Sequence, residues 1–222
     1  MWFFHVALPL LLLFLGVNAE INRIYKGAKM SVRTAVKMSG CEHSGTDSDI
    51  TVLLGYVGLD NKLVYYIETP AQKGNDGLNF EYGTTTAWTH NIGWKESGAI
   101  EQDCFDYAKG NQSLYEDCFN PNLVYFRMYT WWNNWKHNWR PYSVDSYLYA
   151  SFSGGKFYRQ DTKFLFSTSS CSADWVGGDD EYYFCRDPVG RLEKYIPRGH
   201  GLEKGTQFNC SKARKLRKAN LG

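Results

Sequence analysis

Motifs that carry chemistry on their own are missing from this 222-residue chain. It has no Gly-x-Ser-x-Gly elbow, no His-Glu-x-x-His, no phosphate-binding loop and no Cys-x-x-Cys, so no familiar hydrolase, zinc or nucleotide site is written in it. Histidine is sparse and scattered: His5, His43, His90, His137 and His200 share no ligand or triad spacing. No apolar run reaches the roughly 20 residues needed to span a bilayer. Past the first nineteen residues no segment shows a sustained helical period, which argues against a helical domain. Strong charge is missing too. The formal net charge is +2, and the end of the chain alone supplies five basic residues, so the remainder carries −3. That balance does not fit a nucleic-acid binder.

What the chain does have begins with a targeting segment. Val6 to Leu15 is apolar, and Val17-Asn18-Ala19 offers a small-x-small cleavage site, so residues 1–19 read as a signal peptide and the protein as secreted and extracellular. All six cysteines (Cys41, Cys104, Cys118, Cys171, Cys185 and Cys210) follow it, and an even number behind a signal reads as disulfides. The short separations Cys104 to Cys118 and Cys171 to Cys185 point to local loops without fixing any pairing. Asn111-Gln112-Ser113 and Asn209-Cys210-Ser211 are glycosylation sequons, which fit the same route.

Strand-like runs recur along the mature chain: 31–38, 49–56, 63–67, 123–130, 144–152, 163–166 and 181–185. In the first, Val32, Thr34, Val36 and Met38 face one way; in the second, Ile50, Val52, Leu54 and Tyr56 do. The Ser/Gly/Asp-rich loop between them makes an antiparallel pair the expected unit, with Gly45 supplying a turn of positive φ. Leu63, Tyr65 and Ile67 alternate with Val64 and Tyr66, a strand apolar on both faces, and Leu59 to Lys62 reads as the turn before it. Residues 93–122 are the least strand-like and predict a long loop or short helix held by Cys104 and Cys118. The fold class expected is all-β: an antiparallel β-sandwich with disulfide-linked loops.

The run Gly45-Thr46-Asp47-Ser48-Asp49, followed by an apolar strand and Gly55, resembles the start of the PLAT domain (polycystin, lipoxygenase, alpha-toxin). Phe80-Glu81-Tyr82-Gly83-Thr84-Thr85, Val124 to Met128, Trp139 to Ser146 and Glu181 to Cys185 follow in the family's order. They resemble, in turn, its Phe-x-x-Gly-x-Thr stretch, a strand leading to a solvent loop, a Trp-led strand start and the closing Tyr-x-Phe-x-Cys edge. The resemblance covers residues 29–191. It departs from the family where Arg186-Asp187-Pro188-Val189-Gly190 replaces the closing Asn-Arg-Trp-Leu. It implies a PLAT-like sandwich over residues 20–196, with insertions near 93–122 and 159–180, and residues 197–222 as an extension with a basic tail. It also implies a module that meets membranes, lipids or proteins. Calcium is bound by some members at this loop end, which makes Asp47, Asp49, Asp60 and Glu81 the candidate oxygen ligands.

The most conspicuous functional segment is Tyr129 to Trp139, with Trp131, Trp132, Trp135 and Trp139 and the basic Lys136, and Arg140 just beyond it. Four indoles in one connection exceed what a loop can readily bury, and Trp suits a membrane interface or a protein hot spot. The competing expectation places two or three of these rings in the core. The sequence is therefore read as a non-enzymatic secreted module that contacts a lipid membrane or a protein through its aromatic loop, with Trp132 and Trp135 the foremost contacts. Lys212, Arg214, Lys215, Arg217 and Lys218 of the tail would draw it to anionic lipid or an anionic polysaccharide. The runner-up readings are a lipocalin-like barrel around a small ligand, a glycan-binding protein and, further off, a secreted hydrolase.

Overall fold

The computed structural model describes residues 20–74, 80–129, 139–166, 171, 175–176, 181–186, 193–195, 202–208 and 210. Its strands are β1 (Lys29–Met38), β2 (Asp49–Val57), β3 (Leu63–Glu68), β4 (Thr85–Asn91), β5 (Leu123–Tyr129), β6 (Pro141–Ser151), β7 (Phe157–Leu165), β8 (Glu181–Cys185) and β9 (Glu193–Tyr195). Helices α1 (Trp94–Ala108) and α2 (Gln112–Cys118) lie between β4 and β5. A four-stranded sheet runs β4-β1-β6-β7 and a five-stranded sheet β3-β2-β5-β8-β9, antiparallel throughout. The chain is an antiparallel β-sandwich. Two separate open sheets are not a closed barrel, so the lipocalin-like alternative falls.

Alternation decides which residues meet between the sheets. Met30, Val32 and Val36 of β1 join Val144 and Leu148 of β6 on one side; Ile50, Val52 and Leu54 of β2 join Val124, Phe126 and Met128 of β5 on the other, in one buried cluster. The inward sets anticipated for the first two strands are therefore right, but their pairing is not. β1 and β2 lie in different sheets, and the loop between them crosses the end of the sandwich. Two strands that each bury one apolar face can share that core by facing each other across it, and alternation alone does not tell this from pairing side by side. Gly45 is also needed for another reason than positive φ. A Cβ there would sit 2.9 Å from the Phe80 carbonyl oxygen, and the positive φ in this loop belongs to His43 (61°).

The five-stranded sheet is covered on its outer side as well. Leu53, Val57, Leu63, Leu123, Tyr125 and Tyr183 form a second buried cluster closed by Leu202, Phe208 and Cys210. The Leu63 N–H donates to the Thr206 carbonyl, and the Phe208 N–H to that of Asn61, so residues 202–208 dock as part of the domain rather than trailing as an extension. Cys185 pairs with Cys210 there, and Cys41 with Cys171, which overturns the expected local Cys171 to Cys185 loop. Cys104 pairs with Cys118 as anticipated. The span 159–180 expected as an insertion opens with most of β7, an edge strand of the four-stranded sheet. β8 is not a closing edge either, since β9 pairs outside it.

The 93–122 segment folds as two helices. The buried side of α1 is Ser97, Ile100, Glu101, Cys104 and Ala108, a helical spacing hidden because two of its members are polar. Ser97 Oγ accepts from the Met30 N–H at 3.2 Å. Glu101 is buried and paired with Arg23, and it accepts from the Tyr115 hydroxyl at 2.9 Å. The carboxylate holds the Arg23 guanidinium above its ordinary pKa. Burial raises the Tyr65 and Tyr115 hydroxyls well above the usual tyrosine range, and Tyr65 donates to the Cys118 carbonyl at 2.9 Å.

Two outcomes follow. Replacing Cys104 and Cys118 together by Ser should lower stability by about 3 kcal/mol in urea denaturation, the entropy of a loop of this length, with the other two disulfides intact in a non-reduced digest. Tyr65 and Tyr115 hold their protons more tightly folded than unfolded, so their contribution is complete below the unfolded value of about 10 and declines as pH rises past it. In alkaline denaturation series the wild-type curve should fall more steeply above that point than the curve of Tyr65→Phe; parallel curves would refute the assignment.

Candidate functional site

The two ends of the sandwich are closed differently. At one end α1 and α2 cover the gap, with the Tyr56 hydroxyl donating to Asp117 Oδ2 at 2.6 Å and the Tyr107 hydroxyl accepting from the Leu59 N–H at 3.0 Å. At the other end, where β1 passes to β2 and β5 to β6, Trp139 fills the gap. Its ring stands edge-on to Phe126 at 5.0 Å and to Phe80 at 5.7 Å, and its Nε1–H donates to Met38 Sδ at 3.0 Å. A two-way backbone bridge to Val176 (2.6 and 2.7 Å) fixes it, and Cys41–Cys171 ties down the loop alongside.

Trp139 is fully buried and is not a contact residue. Arg140 is no surface cation either: it is buried, and its Nη1 lies 3.1 Å from Cys41 Sγ. Trp131, Trp132, Trp135 and Lys136 lie outside the described residues, as do Asn209 and the basic tail. The calcium set does not assemble. Asp47 and Asp49 precede β2 or open it, whereas Asp60 follows its far end, about 27 Å away by strand rise. Asp60 Oδ1 instead accepts from the Lys62 N–H at 3.2 Å and shapes the β2–β3 turn. Glu81 is exposed at the Asp47 end, and among the described residues no group of three His, Cys, Asp or Glu could hold a metal ion. Asn111 is exposed and caps α2, its Oδ1 accepting from the Leu114 N–H at 3.0 Å. Its amide nitrogen is not used in that cap, so a glycan there is compatible with the helix.

No protein-family model matches the chain, and neither does any curated protein. Solved structures do match, loosely. An arachidonate-bound lipoxygenase matches at 16% identity over 61% of this chain and 16% of its own, with a TM-score of 0.31. Coral 8R-lipoxygenase, whose structure is described as showing calcium activation through a C2-like domain, matches at 17% over 61% and 16%, with a TM-score of 0.31. The alpha toxin of Clostridium absonum matches at 12% over 62% and 31%, with a TM-score of 0.35. This chain thus spans less than a third of each of those proteins. Two of the three proteins that give the PLAT family its name are among them, yet overlaps this loose do not make the chain a member.

The structure adds residues that the sequence reading passed over. Tyr82 (56% exposed), Tyr129 (67%) and Leu165 (53%) stand exposed at the Trp139 end. Tyr82 follows the Gly45 contact, Tyr129 ends β5 opposite Asp49, and Leu165 ends β7 opposite Ser143. Parity could have found two of them: Tyr129 falls out of phase with inward Val124, Phe126 and Met128, and Leu165 in phase with exposed Asp161 and Lys163. Tyr129 and Trp139 also bracket the segment that carries the other three indoles.

If Trp139 is the plug of this end, Trp139→Ala should cost about 3–5 kcal/mol of stability, the range for emptying a buried large aromatic. A thermal melt or urea titration reads it; a loss of less than about 1 kcal/mol would mean that the end closes without the ring.

Proposed function

We propose that this protein is a secreted, non-enzymatic binding module whose Trp139 end meets a lipid membrane surface. The observation that carries this reading is that Tyr82, Tyr129 and Leu165, all exposed, stand around the end where Tyr129 and Trp139 bracket Trp131, Trp132 and Trp135. Large apolar side chains left in water on one end of a domain mark a place where something else covers them. Tyrosine and tryptophan suit the bilayer interface because the ring sits among acyl chains while the polar atom stays hydrated. Burying such a side chain gains roughly 1.5–3 kcal/mol, so two or three inserted rings outweigh any screened surface charge pair.

The frame behind them is rigid, which favours this use. Trp139, Phe80 and Phe126 interlock beneath the end and the Cys41–Cys171 bond fastens its loop, so little order has to be gained on contact. Three disulfides match an oxidising compartment, as secretion requires. Among the described residues no helix is long and apolar enough to cross a membrane, and the reading is of a peripheral contact.

Co-sedimentation with vesicles tests it. Wild type should pellet with neutral phosphatidylcholine vesicles and more strongly with anionic ones. Tyr129→Ser should weaken binding about tenfold at unchanged circular dichroism, as one interfacial ring is worth. Trp132→Ala with Trp135→Ala should weaken it further. Wild type that ignores both kinds of vesicle would end the membrane reading and leave this end to a protein partner. A double variant that unfolds would place those rings in the core.

A further inference from the structure

The outer face of the four-stranded sheet is a second exposed surface, independent of the aromatic end. Alternation along β1 points Lys29, Arg33 and Lys37 outward, and all three are exposed. At the antiparallel strand rise they stand about 14 Å apart in a straight row down the middle of the sheet. Beside the row the register places Tyr147 opposite Arg33, and Tyr149 opposite Arg159's position on β7. The Arg159 guanidinium lies 4.7 Å from the Tyr147 ring centre, and Phe157, 59% exposed, packs against Tyr149 at 5.4 Å.

The charges on this face do not cancel. Its two carboxylates are already occupied: Asp161 by Arg159 at 2.6 Å and Asp145 by Lys163 at 3.7 Å. No acidic residue of the described part pairs with Lys29, Arg33 or Lys37, and outward-facing β4 contributes only Thr85, Ala87, Thr89 and Asn91. The outer side of the other sheet shows the contrast, since Arg127 is held there between Glu68 and Glu181. Three cations without an acidic partner therefore stand out on this face, Lys37 resting over the Tyr142 ring at 5.1 Å, in a body whose net charge, these three included, is −3 once the tail is set aside.

We infer that this face binds a linear sulfated polysaccharide laid along β1, its anionic groups on Lys29, Arg33 and Lys37 and its sugar rings against the tyrosines. A row of separated cations matches a polymer with repeated charge, and charge complementarity on an exposed face governs such encounters. Flat aromatic rings beside the row suit stacking on a sugar ring. A bilayer would instead ask for several protruding apolar side chains side by side; the large exposed ones of this sheet, Phe157 and Leu165, stand at opposite ends of β7.

Heparin-affinity chromatography and titration with heparin test the assignment. Each basic residue facing an anionic surface is worth roughly fivefold at moderate salt, so Lys29→Gln, Arg33→Gln and Lys37→Gln together should weaken binding about a hundredfold. The three side chains are exposed, and matched circular dichroism confirms the fold. Neutralising the tail instead (Lys212, Arg214, Lys215, Arg217 and Lys218 to Gln) should leave most of the affinity. Phe157→Ala should weaken what persists at high salt. Retention unchanged in the triple variant overturns the inference, as does retention lost with the tail alone. If wild type ignores heparin while the triple variant loses anionic vesicles, the face reads lipid headgroups and the inference also falls. Binding to neutral vesicles and the Tyr129→Ser variant report on the other end separately, so either reading can fail without the other.

Discussion

Two sheets that face each other bury their apolar sides only if the gap between them is closed at both ends, and much of this structure answers that demand. At the α1 end the closure is polar and helical: Glu101 buried with Arg23 and Tyr115, Tyr65 on the Cys118 carbonyl, Tyr56 on Asp117. Each of these polar groups meets a partner, which is what allows polar residues to sit in a closure at all. At the other end one ring serves. Trp139 is wide enough to touch Phe80 and Phe126 together, and its single polar atom is satisfied by Met38 sulfur. The consequences for surface differ. A helical cap leaves its outer side charged, whereas a ring plug leaves the strand ends and loops around it free to carry exposed side chains.

The sheet was legible because alternation is a local property. Val32, Val36, Ile50, Val52 and Leu54 point inward as the pattern requires, and the seven expected strand runs each contain or fall within an observed strand apart from an end residue or two. Sheet membership was not legible, because β1 and β2 alternate identically whether they pair side by side or face each other across a core. The helices were hidden for a different reason: Ser97 and Glu101 occupy buried positions of α1, so hydrophobic periodicity undercounts its inner stripe. What makes them tolerable comes from outside the helix: the Met30 N–H on Ser97, and Arg23 and Tyr115 on Glu101.

The candidate site was half legible in the same sense. The Trp-rich segment was visible as composition, but composition cannot say which indole is structural, and the one with a described place is the plug. Arg140 read as a neighbouring surface cation, yet the loop that brings Cys41 beside it puts it inside. Asp47, Asp49, Asp60 and Glu81 looked like one ligand set because they are close in sequence or in motif order. Strand β2 separates Asp60 from the other three, and Asp60 is spent on its own turn.

The same reasoning bears on how charge is distributed. The helical closure needs carboxylates inside and around it, so acidic residues collect on α1 and α2: Glu96, Glu101, Asp103, Asp106, Glu116 and Asp117. The five-stranded sheet hides much of its outer side beneath residues 202–208 and 210, and beside them Arg127 pairs across strands with Glu68 and Glu181. That leaves the outer side of β4-β1-β6-β7 as the one broad face, among the described residues, that neither packs against another element nor balances its own charge. Like charges in a row along β1 gain little for folding: Lys37 has only the face of the Tyr142 ring, and each charge repels the next, however weakly at such spacing in salt. Exposed cations that give the domain little stability, set beside half-buried Tyr147 and Tyr149 and exposed Phe157, are understandable if the face has work to do outside the domain.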